Sequence, residues 1–466
     1  MSVSATTCKY SLDNKNHDWP QICVIIVASL GGLTASALYT WPSPSIPRLI
    51  SNSSEGVNLS LEEASYFTVL TPLGSLLASP LVAYLMESIG RKKTMLLMSV
   101  PQIVAWTLII ISKSLWVLYV SRLLGGTSDA VLFSVVPAYI GEISVPHVRG
   151  SWGNLITIFI YLGQFLMNIV GSYFDVKMTA LFFLIFPITH LIFFTFAPES
   201  PYYLITVNKH REAEKSLKLL RWNNNVEEEF NVITKAVDRQ ISEPGRLKDL
   251  IIIPVNRKAL LISIGLRSCQ ILSGLPAFAV YTQYIFALSA GNFSASTCAI
   301  IYTGVLLLMS STFSFFVDRF GRKPLMIFSS FGCTLALLIE AFYFYFMLET
   351  KVNLTDYNWI PLAGMVLYII TCSSGLGILP NLLLSELFSA SIKSKATSVV
   401  NTVFFLYIII VPKLFQLLSS SFGMYVPFFI FFFCTCLSTL FSYFFMPETK
   451  GKTLEEIQHM LVQKSI

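Results

Sequence analysis

Twelve long apolar runs dominate this chain of 466 residues and restrict what it can fold into. An α-helix needs about 20 apolar residues to cross a bilayer, and several runs are apolar on all faces, as lipid-embedded helices must be. Only 12% of the residues are charged, against about 25% in an average soluble domain. Polar surface is therefore too scarce to cover twelve buried core helices. We number the runs as helices 1 to 12; they cover residues 22–44, 64–86, 94–112, 115–140, 152–172, 179–197, 259–288, 297–317, 325–348, 359–385, 397–419 and 424–446.

The pattern predicts an all-α membrane protein and argues against a soluble enzyme or a nucleic-acid-binding protein, despite the formal net charge of +6. The five histidines are scattered, with no carboxylate or nucleophile at a meaningful spacing, so we predict no catalytic site. The eight cysteines form no C-x-x-C pair, and we interpret them as small apolar core residues. We accordingly expect no metal and no cofactor.

Basic residues in the loops predict the orientation, because cytoplasmic loops carry an excess of Lys and Arg. If the N-terminus is cytoplasmic, 25 of the 32 Lys and Arg lie on the cytoplasmic side, four lie in outer loops and three lie within helices. Both termini are therefore predicted to be cytoplasmic. The four outer residues are Arg48, Lys113, Lys177 and Lys351, and the three within helices are Arg122, Arg267 and Lys413.

Four N-x-S/T sequons agree with this orientation. All four lie in loops placed outside, where N-glycosylation would occur, and none lies in a cytoplasmic loop. We predict glycosylation at these positions, which are Asn52, Asn58, Asn292 and Asn353.

A hydrophilic stretch separates two sets of six helices. Its periodicity around residues 213–220 predicts short amphipathic helices on the cytoplasmic side. The predicted order is a cytoplasmic tail, a six-helix bundle, a cytoplasmic helical linker, a second six-helix bundle and a second cytoplasmic tail. These parts cover residues 1–21, 22–197, 198–258, 259–446 and 447–466.

The two halves repeat each other at three corresponding places. An acid and a Gly-Arg-Lys triplet lie between helices 2 and 3 and again between helices 8 and 9. An acid precedes a base by seven residues after helices 4 and 10, and Pro-Glu-Ser or Pro-Glu-Thr follows helices 6 and 12. Parallel repeats of this kind mark one class of secondary transporter. The matching residues are Glu87 with Asp318, Arg91 with Arg322, Glu142 with Glu386, Arg149 with Lys393, and Glu199 with Glu448.

Helices 1, 4, 7 and 10, the first of each group of three, are interrupted by Gly or Pro. Interrupted membrane helices point to binding sites. We therefore predict a central cavity lined by these four helices. The interrupting residues include Gly32, Gly125, Gly274, Pro276 and Gly377.

These motifs carry a resemblance to a known family. The most specific are Asp318-Arg-Phe-Gly-Arg, Pro198-Glu-Ser-Pro and Pro447-Glu-Thr-Lys-Gly-Lys-Thr-Leu-Glu-Glu. The chain resembles the sugar porters of the major facilitator superfamily over nearly its whole length. Within that family it is most similar to the insect facilitated trehalose and hexose transporters. The resemblance implies two six-helix bundles that rock about a midplane site and so transport a sugar by alternating access.

The resemblance gives the charges at the cytoplasmic helix ends a role. Carboxylates would pair with Arg or Lys when the inner side is closed. A few kcal/mol is enough to shift the equilibrium between the states with the inner side open and closed. We expect Arg322→Ala or Glu386→Ala to bias the carrier toward the inward-open state. The alternative is that these charges only orient the helices. The predicted cytoplasmic latch comprises Glu87, Arg91, Glu142, Arg149, Glu199, Asp318, Arg322, Glu386, Lys393 and Glu448.

Positions that face the sugar in related porters match the family's pattern less well than the cytoplasmic motifs do. Gln270 remains of two adjacent Gln residues in helix 7, and Thr157 stands where helix 5 usually has a Gln. Sugar recognition needs neutral donors and acceptors that converge on the hydroxyls, so the cavity is expected to be narrower and differently selective. The predicted cavity residues are Thr157, Gln164, Gln270, Ser273, Pro276, Tyr281, Asn381, Asp129 and Arg267.

Asp129 and Arg267 are charges inside predicted membrane helices, where such residues are functional candidates. One hypothesis is that they pair with each other or bind a charged solute. The other is that each has a separate structural partner. Helix 1 has Leu38 where proton-linked relatives have an Asp, so the resemblance implies gradient-driven transport without protons.

Three functions remain open at this stage. The first is a facilitative uniporter for a sugar, trehalose or a hexose, in the plasma membrane. The second is a carrier of the same fold for a non-sugar small organic solute, and the third is a non-transporting nutrient sensor. The expected partners are a small-molecule solute and the lipid bilayer, with no nucleic acid, and we expect the chain to function as a monomer.

Overall fold

The computed structural model describes residues 18–51, 59–242, 246–289, 293–316, 319–350, 354–452 and 454–463. Within these ranges every regular element is a helix, and twelve helical spans are long and apolar enough to cross a membrane. The prediction of an all-α chain with twelve such helices is therefore confirmed. We call the helix ends that the charge bias places in the cytoplasm inner ends, and the opposite ends outer ends.

The first half contains helices 1 to 6. Helix 1 begins three residues before the predicted position, because Pro20 occupies its first turn, where a missing N–H is tolerated. The bounds are Trp19–Thr40 continued by Pro42–Ser51 for helix 1, Leu61–Ser88 for helix 2, Arg91–Ile111 for helix 3, Leu115–Ile143 for helix 4, Pro146–Trp152 continued by Leu155–Tyr173 for helix 5, and Val176–Phe194 for helix 6.

The second half contains helices 7 to 12. Helices 7 and 10 are each divided into two pieces, as their Gly and Pro residues predicted, whereas helix 4 is continuous over Leu115–Ile143 despite Gly125. The bounds are Pro254–Leu272 and Leu275–Leu288 for helix 7, Ala295–Phe316 for helix 8, Arg322–Glu349 for helix 9, Ile360–Ser374 and Leu379–Leu387 for helix 10, Ala390–Phe422 for helix 11, and Tyr425–Phe444 for helix 12. A 3-10 turn, Thr355–Tyr357, precedes helix 10, and Leu454–Gln463 follows helix 12.

Four short helices connect the halves. Between helices 6 and 7 lie Pro201–Thr206, His210–Arg221, Glu227–Ser242 and Asp249–Ile252. Their apolar faces form a small core of their own, in which Leu204, Leu217 and Val237 are buried together. An amphipathic helix is stable when its apolar stripe packs in this way.

Glycines set the close approach of helices 2 and 4. A Cβ atom at Gly126 would collide with the carbonyl of Thr71, and one at Gly74 would collide with the carbonyl of Leu123. Small residues let the backbones of membrane helices approach closely, and the packing so gained stabilises the pair. Larger residues at either position would force helices 2 and 4 apart.

Packing within each half is extensive. Helix 1 packs along helix 5, and helices 2 and 3 pack along helix 4, whereas helix 9 packs along helices 10 and 12. The two bundles meet where helix 2 packs on helix 11 and helix 5 packs on helix 8. Helix 2 corresponds to helix 8 and helix 5 to helix 11, so these two contacts are equivalent to each other and the interface follows the internal symmetry of the sequence.

Candidate functional site

The structure brings the breaks in helices 7 and 10 into contact. Helix 7 is interrupted at Gly274, whose φ of +92° lies in the left-handed region that favours glycine. One turn earlier, Gln270 Nε2 donates to the carbonyl of Gly377 in the break of helix 10, at 3.1 Å. Ser273 Oγ lies 3.0 Å from Tyr368 Oη of helix 10. Polar side chains and backbone carbonyls therefore converge where both helices are interrupted.

Arg267 lies one turn from Gln270, toward the inner end, and only 2% of its surface is exposed. Its Nη1 atom donates to Gln270 Oε1 at 2.7 Å. Its guanidinium carbon lies 4.4 Å from the ring centre of Phe404 in helix 11. Phe404 in turn packs against Phe133 of helix 4, with ring centres 5.1 Å apart. Through Phe404, Arg267 therefore adjoins the interface between the bundles.

Asp129 does not pair with Arg267, in contrast to one hypothesis from the sequence. Ser75 Oγ donates to Asp129 Oδ2 at 3.5 Å, and the cation whose charge acts on Asp129 is Arg122, two turns earlier on helix 4. Arg122 also donates to the carbonyl of Leu38 in helix 1. Arg122 and Asp129 are both on helix 4 of the first bundle, and their spacing of seven residues places them on the same face of that helix.

The other predicted cavity residues are more dispersed. Pro276 and Tyr281 lie in the outer half of helix 7, where both are buried. Thr157 is half-buried near the inner end of helix 5, and Gln164 is buried two turns further along. Asn381 is exposed in the inner piece of helix 10. Among the described residues no hydrogen bond joins Thr157 or Gln164 to helix 7, so their place in a shared cavity stays a prediction.

Hydrogen bonds between the two bundles lie mainly in their outer half. Lys413 Nζ donates to Ser65 Oγ at 2.6 Å, and it lies 4.4 Å from the ring centre of Tyr66. Sequence reasoning missed this role, although a cation inside an apolar run is a signal that could have found Lys413. Other outer bonds join Gln283 to Ser172, Tyr39 to the carbonyl of Pro276, and Thr68 to Tyr281, whereas Asn401 donates to the carbonyl of Phe133 in the inner half.

A charge network occupies the inner end of the first bundle. Arg91 Nη2 lies 2.8 Å from Glu142 Oε1, and the hydroxyl of Ser200 donates to the other oxygen of Glu142. Glu199 accepts the backbone N–H groups of Arg91 and Lys92 at 3.1 Å. These contacts fix the ends of helices 3 and 4 to the segment after helix 6.

The second bundle repeats this network at corresponding positions. Arg322 Nη2 lies 3.1 Å from Glu386 Oε1, and the hydroxyl of Thr449 donates to the other oxygen of Glu386. Glu448 accepts the backbone N–H groups of Arg322 and Lys323 at 3.0 and 3.1 Å. Both ion pairs thus lie within a bundle, whereas the predicted latch assumed pairs between facing helix ends.

The two equivalent carboxylates differ in their electrostatics. Burial raises the pKa of the Glu199 carboxyl above its ordinary value, although backbone N–H groups of neighbouring residues oppose the shift. Burial acts in the same direction on Glu448, but the N–H groups of Lys450, Arg322 and Lys323 together outweigh it. The pKa of Glu448 therefore lies below its ordinary value.

Three other predicted latch residues are exposed and form no ion pair in the described ranges: Glu87, Arg149 and Lys393. The positive charge of Arg149 acts on Lys393 of the other bundle, so these two residues repel each other. In the same ranges no group of three His, Cys, Asp or Glu side chains could hold a metal ion.

Five predicted site residues lie outside the described residues. One is Asp318 of the predicted latch, and the others are the sequon residues Asn52, Asn58, Asn292 and Asn353. The roles of all predicted site residues stay predictions.

Proteins of known family resemble this chain over nearly its whole length. Residues 27–461 match the family model of the "Sugar (and other) transporter" family. The chain is 31% identical to facilitated trehalose transporter Tret1 of Polypedilum vanderplanki over 454 residues, which cover 96% of this chain and 89% of the relative. It is also 31% identical to facilitated trehalose transporter Tret1 of Bombyx mori, covering 96% of this chain and 88% of the relative.

Solved structures share the fold. The proton:xylose symporter XylE, of the major facilitator superfamily, superimposes with a TM-score of 0.76 at 21% identity, over 96% of this chain and all of the other. The inward-open xylose transporter XylE from E. coli gives a TM-score of 0.74 at 21% identity, over 94% and 99% of the two chains. The architecture is thus two six-helix bundles of the major facilitator fold. The chain belongs to the sugar (and other) transporter family.

Proposed function

We propose that this protein is a facilitative carrier that moves a sugar, trehalose or a hexose, across a membrane by alternating access. Its similarity to two trehalose transporters over 96% of its length supports this substrate class. The structural observation that carries the proposal is the contact between Gln270 and Gly377, where two broken helices meet. Broken helices near the midplane form the solute sites of secondary transporters.

The two halves of the molecule supply a basis for alternating access. Hydrogen bonds such as Lys413 to Ser65 close the outer half between the bundles. The inner networks of Glu142 and Glu386 connect helix ends within one bundle, so each bundle would move as a unit. Breaking the outer bonds while both inner networks stay intact would open the site to the outer side.

We propose uniport rather than proton-driven transport. Helix 1 contains no carboxyl group between Trp19 and Ser51. The acid of the first bundle nearest the membrane centre, Asp129, is buried beside the charge of Arg122. A coupled proton needs an acid on the solute path to carry it, and helix 1 offers none.

The remaining parts of the proposal concern location. We propose that the carrier lies in the plasma membrane with both termini in the cytoplasm and acts as a monomer. The charge bias of the loops supports this topology, and the four sequons would then be available for glycosylation. The predicted cavity and latch residues belong to the same proposal.

The test is uptake of labelled trehalose and glucose into oocytes that express the full chain, at pH 5.5 and 7.5, with and without a protonophore. We expect saturable uptake that the protonophore leaves unchanged. Surface biotinylation controls for expression, and water-injected oocytes give the background. Uptake that collapses with the protonophore would contradict uniport. Absence of uptake by protein present at the surface would contradict sugar transport.

A further inference from the structure

Arg267 is a buried cation with no anionic partner in the described part of the chain. Among the described residues no carboxylate oxygen lies within 4.0 Å of its nitrogen atoms, and only 2% of its surface is exposed. Its single hydrogen bond goes to the neutral amide of Gln270. The Nε atom is buried and has no acceptor. An unpaired charge in such a place is expensive unless a counter-charge is supplied.

The acids of the membrane region that the structure describes lie on other helices. The carboxylate of Asp129 interacts electrostatically with Arg122, and both residues lie in the first bundle, whereas Arg267 lies in the second. Glu340, on helix 9, is fully buried against helix 10, where its carboxyl occupies the space beside Gly364. Helices 7, 8, 11 and 12 contain no Asp or Glu within their described bounds. Within the described ranges the protein therefore supplies no counter-ion for Arg267.

Arg267 lies close to the breaks of helices 7 and 10 and to the interface between the bundles. Phe404 covers one face of the guanidinium and adjoins Phe133 of the other bundle. A ring face provides only weak electrostatic compensation for a cation. The edge formed by Nε and Nη2 has no acceptor among the described residues. A planar guanidinium edge of this kind binds a carboxylate through two parallel hydrogen bonds.

We infer that the solute site of this carrier accepts a monoanionic sugar acid, whose carboxylate binds Arg267. The inference rests on the proposed function, because the sugar hydroxyls would use the neutral polar groups of helices 7 and 10. One uncompensated positive charge matches the single charge of a carboxylate. A phosphate monoester carries between one and two negative charges at neutral pH and would leave the site with excess negative charge.

Uptake of labelled glucuronate, beside labelled glucose and trehalose, tests the inference in voltage-clamped oocytes that express the full chain. We expect saturable glucuronate uptake accompanied by an outward current, since an entering anion carries negative charge inward, whereas neutral sugars should give no current. Arg267→Gln should lower the ratio of glucuronate to glucose uptake by at least about tenfold, which is the effect of losing one charged hydrogen bond. Arg267→Lys keeps the charge and should restore part of that ratio.

Lys413→Gln is the matched control, because it removes another cation of the same bundle at a distance from the site. It should change both uptake rates together and leave their ratio within about twofold.

Glucose or trehalose uptake without glucuronate uptake would overturn the inference and leave the proposed function intact. An unchanged ratio in Arg267→Gln would also overturn it. Glucuronate uptake without any neutral sugar would support the inference and refute transport of trehalose or hexose. If Arg267→Gln does not reach the surface, the wild-type current and the ratio of glucuronate to glucose uptake in Arg267→Lys test the inference instead. Absence of a glucuronate current in the wild type would overturn it.

Discussion

Lys413 Nζ lies 2.6 Å from Ser65 Oγ, and this hydrogen bond joins helix 11 of one bundle to helix 2 of the other. The same ammonium group lies over the ring of Tyr66. The charged networks at the inner ends behave differently, since Arg91 pairs with Glu142 inside its own bundle. Closure of the outer half therefore depends on contacts between the bundles, whereas the inner ion pairs stabilise each bundle.

Removing the outer contact should favour outer opening. Hydrogen bonds between membrane helices contribute about 0.6–1.7 kcal/mol, which corresponds to roughly a 3- to 20-fold change in an equilibrium constant. We expect Ser65→Ala or Lys413→Met to increase, within that range, the labelling rate of a cysteine introduced at Thr68. The measurement is labelling of intact cells with a membrane-impermeant maleimide. Ser420→Ala is the control, because Ser420 bonds only within helix 11; an equal increase in that variant would refute the role of Lys413.

Glu142→Gln and Glu386→Gln should destabilise the carrier to a similar extent, because the two residues have equivalent partners. Each substitution removes the carboxylate that pairs with an arginine side chain. We expect the free energy of unfolding to fall by about 1–3 kcal/mol, which lies between the values for exposed and buried ion pairs. Thermal unfolding in detergent and uptake normalised to surface protein would measure it. Glu87→Gln, at an exposed acid without an ion pair, should cost less than about 0.5 kcal/mol; a loss as large as that of Glu142→Gln would contradict this assignment.

Glu448 and Glu199 should affect stability with opposite pH dependence. A carboxyl whose pKa is lowered by folding contributes stability above its ordinary pKa and loses it as pH falls through the folded pKa. A carboxyl whose pKa is raised contributes stability below its ordinary pKa and loses it as pH rises through the folded pKa. Glu448→Gln should therefore destabilise more at pH 7 than at pH 4, and Glu199→Gln more at pH 4 than at pH 7. Unfolding curves of both variants at the two pH values check this. A loss of stability that changes with pH in the same direction for both variants would disprove it.

Gly126→Ala should destabilise the first bundle, because the added methyl group has no space against the backbone of helix 2. Overpacking of this kind costs about 1–3 kcal/mol. Gly141→Ala on the same helix is the matched variant, since a Cβ atom there meets nothing within 4 Å. Alanine should stabilise the helix at that position by about 0.5–1 kcal/mol. Fluorescence-detected size-exclusion chromatography after heating compares the two, and equal melting temperatures would refute the packing argument.

Much of the fold could be predicted because its causes are local. Helix 7 was expected to break near Gly274, and the positive φ there follows from the freedom of glycine. The repeated acids and bases predicted which residues occupy equivalent positions, and Glu142 and Glu386 do have matching partners. The partners themselves could not be predicted. Asp129 and Arg267 were equally compatible with pairing and with separation, because no pattern in the chain gives the distance between helices 4 and 7.

The sequence by itself determined that twelve helices cross a membrane in two equivalent sets, since apolar length and loop charge depend only on neighbouring residues. Only the tertiary structure decided that Lys413 bonds to the other bundle and that Arg267 is buried with no counter-ion among the described residues. Both facts depend on which helix faces which across the bundle interface. That choice is made by the packing of side chains far apart in the chain, such as Phe133 against Phe404.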